Sequence, residues 1–251
     1  MKKLISLIII VTMMVLALTS CDELTNKLLG DQNANDNDLS GGTDNPIDNT
    51  VYTITEENWQ ALNTITNYTI NAYITSTIVK GDESAVITGK SVYKSSENAI
   101  YDKTTQTSHS NENFGIYLTS YEMYYTIHEG SRYYLAQDED GKWTATENDW
   151  KLDSIAEYFS LNEAIEFDDL TYDADLKAYT YTYTYTYTDS KTTSTMHFYF
   201  KNGMPTRIYA KAVNNTDDGE TESEIFDAEI SSIGVTHVII PQLVQDEVTY
   251  N

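Results

Sequence analysis

Tyr179-Thr180-Tyr181-Thr182-Tyr183-Thr184-Tyr185-Thr186-Tyr187-Thr188 alternates two residue types without a break. Both types favour extended backbone. Successive side chains of a strand point to opposite faces, so the five tyrosines share one face and the threonines the other. Ten residues extend about 33 Å, enough for a full-length sheet strand. The segment predicts a strand from Ala178 to Thr188, paired with Ser194 to Phe200.

The same period continues in both directions. Toward the C-terminus, Asn202-Gly203 turns the chain into Thr206 to Val213, and Asp218-Gly219 turns it into Glu224 to Ile233. Val235 to Ile240 then reads as a last strand before Pro241. Toward the N-terminus, Tyr68, Ile70, Ala72, Ile74, Ser76 and Ile78 alternate with polar residues and Tyr73. Gly81-Asp82 turns that strand into Ser84 to Lys94, and Glu97 to Thr105 follows. Residues 106–113 read as a polar loop before a long strand from Phe114 to His128. Gly130 returns it through Arg132 to Ala136, and Asp140-Gly141 marks a hairpin before Trp143.

Two segments break this period. Thr55 is placed to cap a helix from Glu56 to Ile65, with two acidic residues in its first turn. Trp59, Leu62 and Ile65 fall on one face of it. Leu152, Ile155, Ala156 and Phe159 give the i, i+3, i+4, i+7 spacing of a second helix, from Trp150 to Phe159, with Asn148 or Asp149 as cap. Consecutive hairpins make a meander, and a meander is antiparallel. The expected fold is α+β and β-dominated: a large curved, mostly antiparallel sheet, a half-barrel, packed on two helices.

The first fifty residues are of another kind. Lys2 and Lys3 precede Leu4 to Leu18, 15 residues without a charge. That is the pattern of a signal peptide, and it is short of the roughly 20 residues that span a bilayer. The next residues, Leu18-Thr19-Ser20-Cys21, resemble the lipobox of bacterial lipoproteins. The resemblance implies cleavage between Ser20 and Cys21, a diacylglycerol on the Cys21 thiol, and anchoring on the extracytoplasmic face of a membrane. Cys21 is the sole cysteine, so the domain has no disulfide to rely on. Residues 22–50 carry seven acidic residues and one lysine, with few aliphatics, and read as a flexible tether. Asp31-x-Asn33-x-Asn35 begins like a calcium loop, but Asp36 and Gly42 stand where that loop needs glycine and glutamate. The expected organisation is signal peptide 1–20, lipidated cysteine and tether 21–50, and one β-rich domain 51–251.

Without Lys2 and Lys3 the chain has 13 basic residues against 39 acidic, a formal charge of −26. Nucleic-acid affinity comes from phosphate neutralisation, so that partner class is excluded. Docking on anionic headgroups is disfavoured for the same reason.

The order of elements also resembles a family. Thr55-Glu56-Glu57-Asn58-Trp59 before Asn67-Tyr68-Thr69, and the ending Ile233-Gly234-Val235-Thr236-His237-Val238-Ile239-Ile240-Pro241, look like half-barrel lipoproteins of the LolA/LppX type. The resemblance spans residues 51–241 through short motifs. It implies an open antiparallel barrel wrapped on helices, and a cavity that carries lipids or lipidated proteins. It assigns no binding residue.

Two readings compete for the tyrosine face of Tyr179, Tyr181, Tyr183, Tyr185 and Tyr187. It is either the aromatic wall of a ligand cavity or the packed face of an amphipathic strand, and stacked aromatics are common enough in sheets to favour packing. Asp189 and Lys191 beside the run are candidate gatekeepers against edge pairing. Catalytic patterns are missing. His109, His128, His197 and His237 are scattered without metal-ligand spacing. Ser91-Val92-Tyr93-Lys94 matches Ser-x-x-Lys, but in a strand the two side chains face opposite ways. No cofactor or metal is implied. The preferred expectation is a non-enzymatic lipoprotein binding an apolar or amphipathic ligand. The alternative is an envelope interaction module that presents its acidic surface to another protein.

Overall fold

The computed structural model describes residues 50–81, 83–110, 117–161, 164–188, 190–217 and 219–250. The signal peptide, Ser20, Cys21, residues 22–49 of the tether, Asp82, Asp189 and Asp218 lie outside them.

Eleven antiparallel strands form one sheet: β1 (Tyr68–Lys80), β2 (Glu83–Ser96), β3 (Ala99–Ser110), β4 (Tyr117–His128), β5 (Ser131–Gln137), β6 (Trp143–Glu147), β7 (Thr171–Asp173), β8 (Ala178–Thr186), β9 (Ser190–Lys201), β10 (Met204–Thr216) and β11 (Glu220–Ser231). Their order is β6-β5-β4-β3-β2-β1-β11-β10-β9-β8-β7. The sheet is therefore one meander bent round so that its first and last strands pair at the centre, from Thr69 opposite Ser231 to Lys80 opposite Glu220. The break in the ring falls between β6 and β7.

Tight turns carry the meander. Asn202 and Gly203 both have positive φ, 51° and 79°, the geometry of a two-residue hairpin turn that asparagine and glycine adopt at little cost. Glu129 and Gly130 repeat it. Pro205 is accommodated by a register shift between Pro205 and Arg207, so the missing N–H costs no regular ladder bond.

The sheet is curled. Tyr121 on β4 and Tyr183 on β8 line one cavity although seven strands' spacings separate them in the sheet. On a flat sheet that would be about 34 Å. Residues 148–170 cross from one sheet edge to the other and close one end. Within them lies α2 (Ile155–Tyr158), whose Tyr158 ring sits 4.6 Å from that of Tyr93 on β2, while Phe159 meets Phe226 on β11 at 5.9 Å. The helix α1 (Glu56–Ala61) packs beside it. Its Trp59 meets Phe198 edge-on at 5.1 Å. The main core joins these two short helices to the inner face of the sheet.

Both helices are shorter than their apolar spacing predicts, for local reasons. Thr55 caps α1 as expected, in a capping box with Asn58. Past Ala61, however, the Asn63 and Thr64 side chains donate to the carbonyls of Gln60 and Ala61, and the Leu62 and Ile65 carbonyls accept from Ala156 and Ile155 of α2. Those bonds end the helix and leave Ile65 packed on the core from a turn. In α2 the cap is Ser154, not Asn148 or Asp149: the Ser154 hydroxyl accepts from the Glu157 N–H and Glu157 accepts from the Ser154 N–H. The preceding residues 150–154 are not helical, and Trp150 instead donates its indole N–H to the Thr126 carbonyl.

Two other expectations change. The polar stretch 106–110 belongs to β3; residues 111–116, with the expected start of the next strand at Phe114, lie outside the described residues. Val235 to Ile240 is not a strand. Both edges of β11 are already taken by β1 and β10, so a strand leaving β11 has no ladder to join. Ser232 and Gly234 have positive φ, 54° and 75°, and turn the chain out of the sheet. It crosses to the convex face, where Val244 of α3 (Gln242–Glu247) packs with Tyr124, Tyr133, Leu135 and Trp143 in a second, smaller core.

Candidate functional site

Alternation and register decide which side chains face inward. On β1 the inward set is Tyr68, Ile70, Ala72, Ile74, Ser76 and Ile78; their partners on β11 are Ile230, Ala228, Phe226, Glu224 and Glu222 from Ile70 onward. The inner face thus changes character along the strands. Near the two helices it is apolar and filled. Toward the other end the row is small or polar: Ser76, Ala212 and Ser194 stand between or beside Glu224 and Tyr183.

Small side chains cannot fill the interior of a curled sheet. What remains is a cavity of about 450 Å³. That is within the range of small-molecule sites. Met196, Ile208, Ala210 and Phe226 form its apolar floor, and Tyr158 and Phe159 close one end.

Two acidic stations face this cavity. Asp102 lies opposite Tyr93 and Met123 in register, near the helix-closed end. Burial raises its carboxyl to about 6. Glu222 and Glu224 stand two apart on β11, on the same face. Glu224 is raised to about 7, first by burial and then by the charge of Glu222. Glu222 is raised by burial and by Glu220. Six positions on β1 separate Ile70, the partner of Tyr93, from Ser76, the partner of Glu224, which is about 20 Å along the strand. The basic side chain nearest in register on this face, Lys80, pairs with Glu220 at 3.7 Å beyond Glu222.

The five tyrosines of the run share the inner face but not one environment. Tyr179 is core: its hydroxyl donates to the Ile54 carbonyl at 3.2 Å and accepts from the Ile54 N–H at 3.1 Å. Tyr181 packs partly buried against the core, 5.8 Å from the Tyr183 ring. Tyr183 and Tyr187 line the cavity. Tyr185 and Tyr187 are both exposed and meet edge-on at 4.3 Å. On the opposite face the threonines form a ladder with β9, Thr182 to Thr195 at 3.2 Å and Thr184 to Thr193 at 3.3 Å. Packing and cavity wall therefore share one strand, divided along its length.

Sequence reading missed Asp102, Glu222 and Glu224. For the two glutamates the signal was present. Glu222 and Glu224 continue the alternation of Phe226, Ala228 and Ile230, so they had to face inward.

His128 stacks on Tyr250 with centroids 4.0 Å apart, and the His197 Nδ1 is hydrogen-bonded to the Thr180 hydroxyl at 3.0 Å. His237 lies in the irregular C-terminal segment, outside any strand. Among the described residues no three metal-ligating side chains converge, and no helix is long and apolar enough to cross a membrane.

No family model matches the chain, and neither does any curated protein. Solved structures that it resembles include an S-type phycobiliprotein lyase from Guillardia theta, at 6% identity and TM-score 0.25, with 69% of this chain and 92% of that one covered. Another is a putative AttH from Nitrosomonas europaea, at 7% identity and TM-score 0.24, covering 70% and 53%. A de novo designed transmembrane β-barrel matches at 8% identity and TM-score 0.16, covering 66% and 96%. Likenesses this distant carry no weight for function.

Proposed function

We propose that this chain is a lipid-anchored, extracytoplasmic, non-enzymatic lipoprotein whose half-barrel binds an apolar or amphipathic ligand. The observation that carries the binding part is the cavity of about 450 Å³, with apolar floor residues and polar groups at its ends. The anchoring part rests on Leu18-Thr19-Ser20-Cys21 and the uncharged run before it. Two or more acyl chains on Cys21 would hold the domain stably where one would not.

Each part has its own test. Cys21→Ala is expected to abolish acylation and move the protein from the membrane fraction to the soluble or uncleaved pool. A variant that remains processed and membrane-bound like the parent removes the lipobox reading. For the ligand, the chain from Asp44 onward is expressed without its anchor, purified and extracted with organic solvent for mass spectrometry. A stoichiometric amphiphile absent from a mock purification is the expected result. An extract that stays clean after incubation with host membranes sinks the carrier reading and favours a surface interaction module.

A further inference from the structure

We propose that the cavity selects a ligand bearing an organic ammonium group, with the cation held by Glu222 and Glu224 and the hydrocarbon body lying along Met196, Ile208 and Phe226. This rests on the ligand-binding reading and names its substrate class.

Three observations converge. First, the two carboxyl groups enter a largely apolar cavity with no basic side chain among the described residues that line it. Glu222 and Glu224 are half-buried, and carboxylates drawn out of water are ordinarily paired. An ammonium ion supplies the missing charge, whereas an anionic head would add a like charge beside them. Asp102 sets the same sign near the other end of the cavity, so an anionic terminus is disfavoured in either orientation.

Second, the nearest hydroxyl gives Glu224 no relief: Ser76, its register partner on β1, is 2% exposed and has no hydrogen-bond partner among the described residues. A primary ammonium has three N–H groups, two for the carboxylates and one for the Asn214 side-chain oxygen, which lies beside Glu222 in register and lines the cavity.

Third, the wall across Ala212 and Ser194 from Glu224 is tyrosine. Tyr183 lies in the same cross-strand row, and Tyr187 lines the same cavity. The faces of such rings attract cations, most strongly where water is displaced. Tyrosine at this end and aliphatic side chains on the floor match a molecule with a cationic head and an apolar body.

The test uses the full lipidated chain in nanodiscs of digalactosyldiacylglycerol, a lipid without an ammonium group, with protein-free discs as reference. Octylammonium, octanoate and octyl glucoside, equal in chain length, are titrated by calorimetry at pH 8. Octylammonium is expected to bind at least tenfold more tightly than octanoate. In the E222Q/E224Q variant that preference is expected to fall below threefold, while octyl glucoside binding stays within twofold of the parent. Because both substitutions remove buried charge, the variant is expected to fold, and its circular dichroism checks this. Octanoate binding as tightly as octylammonium overturns the charge selection and leaves the ligand-binding reading standing. Failure of all three probes to bind overturns both.

Discussion

Replacing Trp59 with alanine is expected to lower the free energy of unfolding by about 3–5 kcal/mol, a large part of the roughly 5–15 kcal/mol that holds a domain folded. A six-residue helix has almost no stability of its own, so α1 persists because of what it buries. Trp59 is 5% exposed, meets Phe198 at 5.1 Å and lies 6.4 Å from Phe200, both on β9. Removing the indole takes away its ring contacts to Phe198 and Phe200 and leaves a void that the curled sheet cannot collapse to fill. Gln60, its exposed neighbour on the same helix, is the control, and Gln60→Ala is expected to change stability by less than about 0.5 kcal/mol. Urea denaturation of both variants measures the difference. A loss at Trp59 below about 1 kcal/mol would mean that α1 rests on the sheet without being part of its core.

That helix also marks how far local sequence reaches. Thr55 and the acidic first turn locate its start, because a cap is a local interaction. Its end depends on carbonyls accepting from Ile155 and Ala156, some ninety residues away, and no local pattern shows that. The strands follow the same rule. Period two and the glycine turns mark nearly every hairpin, since both are set by neighbours in the chain. The pairing of β1 with β11, which joins the two halves of the meander into one sheet, links residues about 150 apart and leaves no local trace. The extra strand expected at Val235–Ile240 fails for that reason: its apolar residues suit a strand, but the topology leaves no free edge beside β11.

The candidate site was legible only in part. The tyrosine run drew the eye by composition, yet its function changes along its length. Tyr179 serves the core and Tyr187 the cavity, because the inner face of the sheet is filled near the helices and open beyond them. Glu222 and Glu224 look like ordinary acidic surface in a chain this acidic. Only their phase relative to Phe226 and Ile230 shows that they point inward. Asp102 gives no such sign, since its isolation among tyrosines arises from Tyr93, Tyr121 and Tyr158 on three other elements.

Glu224→Gln is expected to stabilise the protein at pH 8 by about 2–3 kcal/mol and to leave it nearly unchanged at pH 4. The sign follows from the carboxyl's two states. In the unfolded chain it titrates near 4.5, and in the folded protein near 7. Between those values the folded state holds a proton that the unfolded state has released, so stability falls as pH rises through the window and levels off above it. Below the window both states are protonated and the residue contributes no such difference. Glutamine keeps the shape and removes the charge, so it deletes the loss at high pH. The groups facing Glu224 give it no relief: Glu222 repels it from the same strand, Ser76 and Ala212 flank it uncharged, and Lys80 is engaged with Glu220. Unfolding by urea at pH 4, 6 and 8 traces the effect, with the two proteins diverging only above about pH 5. Equal stability of parent and variant at pH 8 would mean that Glu224 is already paired in the folded protein. A residue that weakens its own fold at neutral pH fits a binding site better than a scaffold, because an incoming cation can recover in affinity what the buried carboxylate costs in stability.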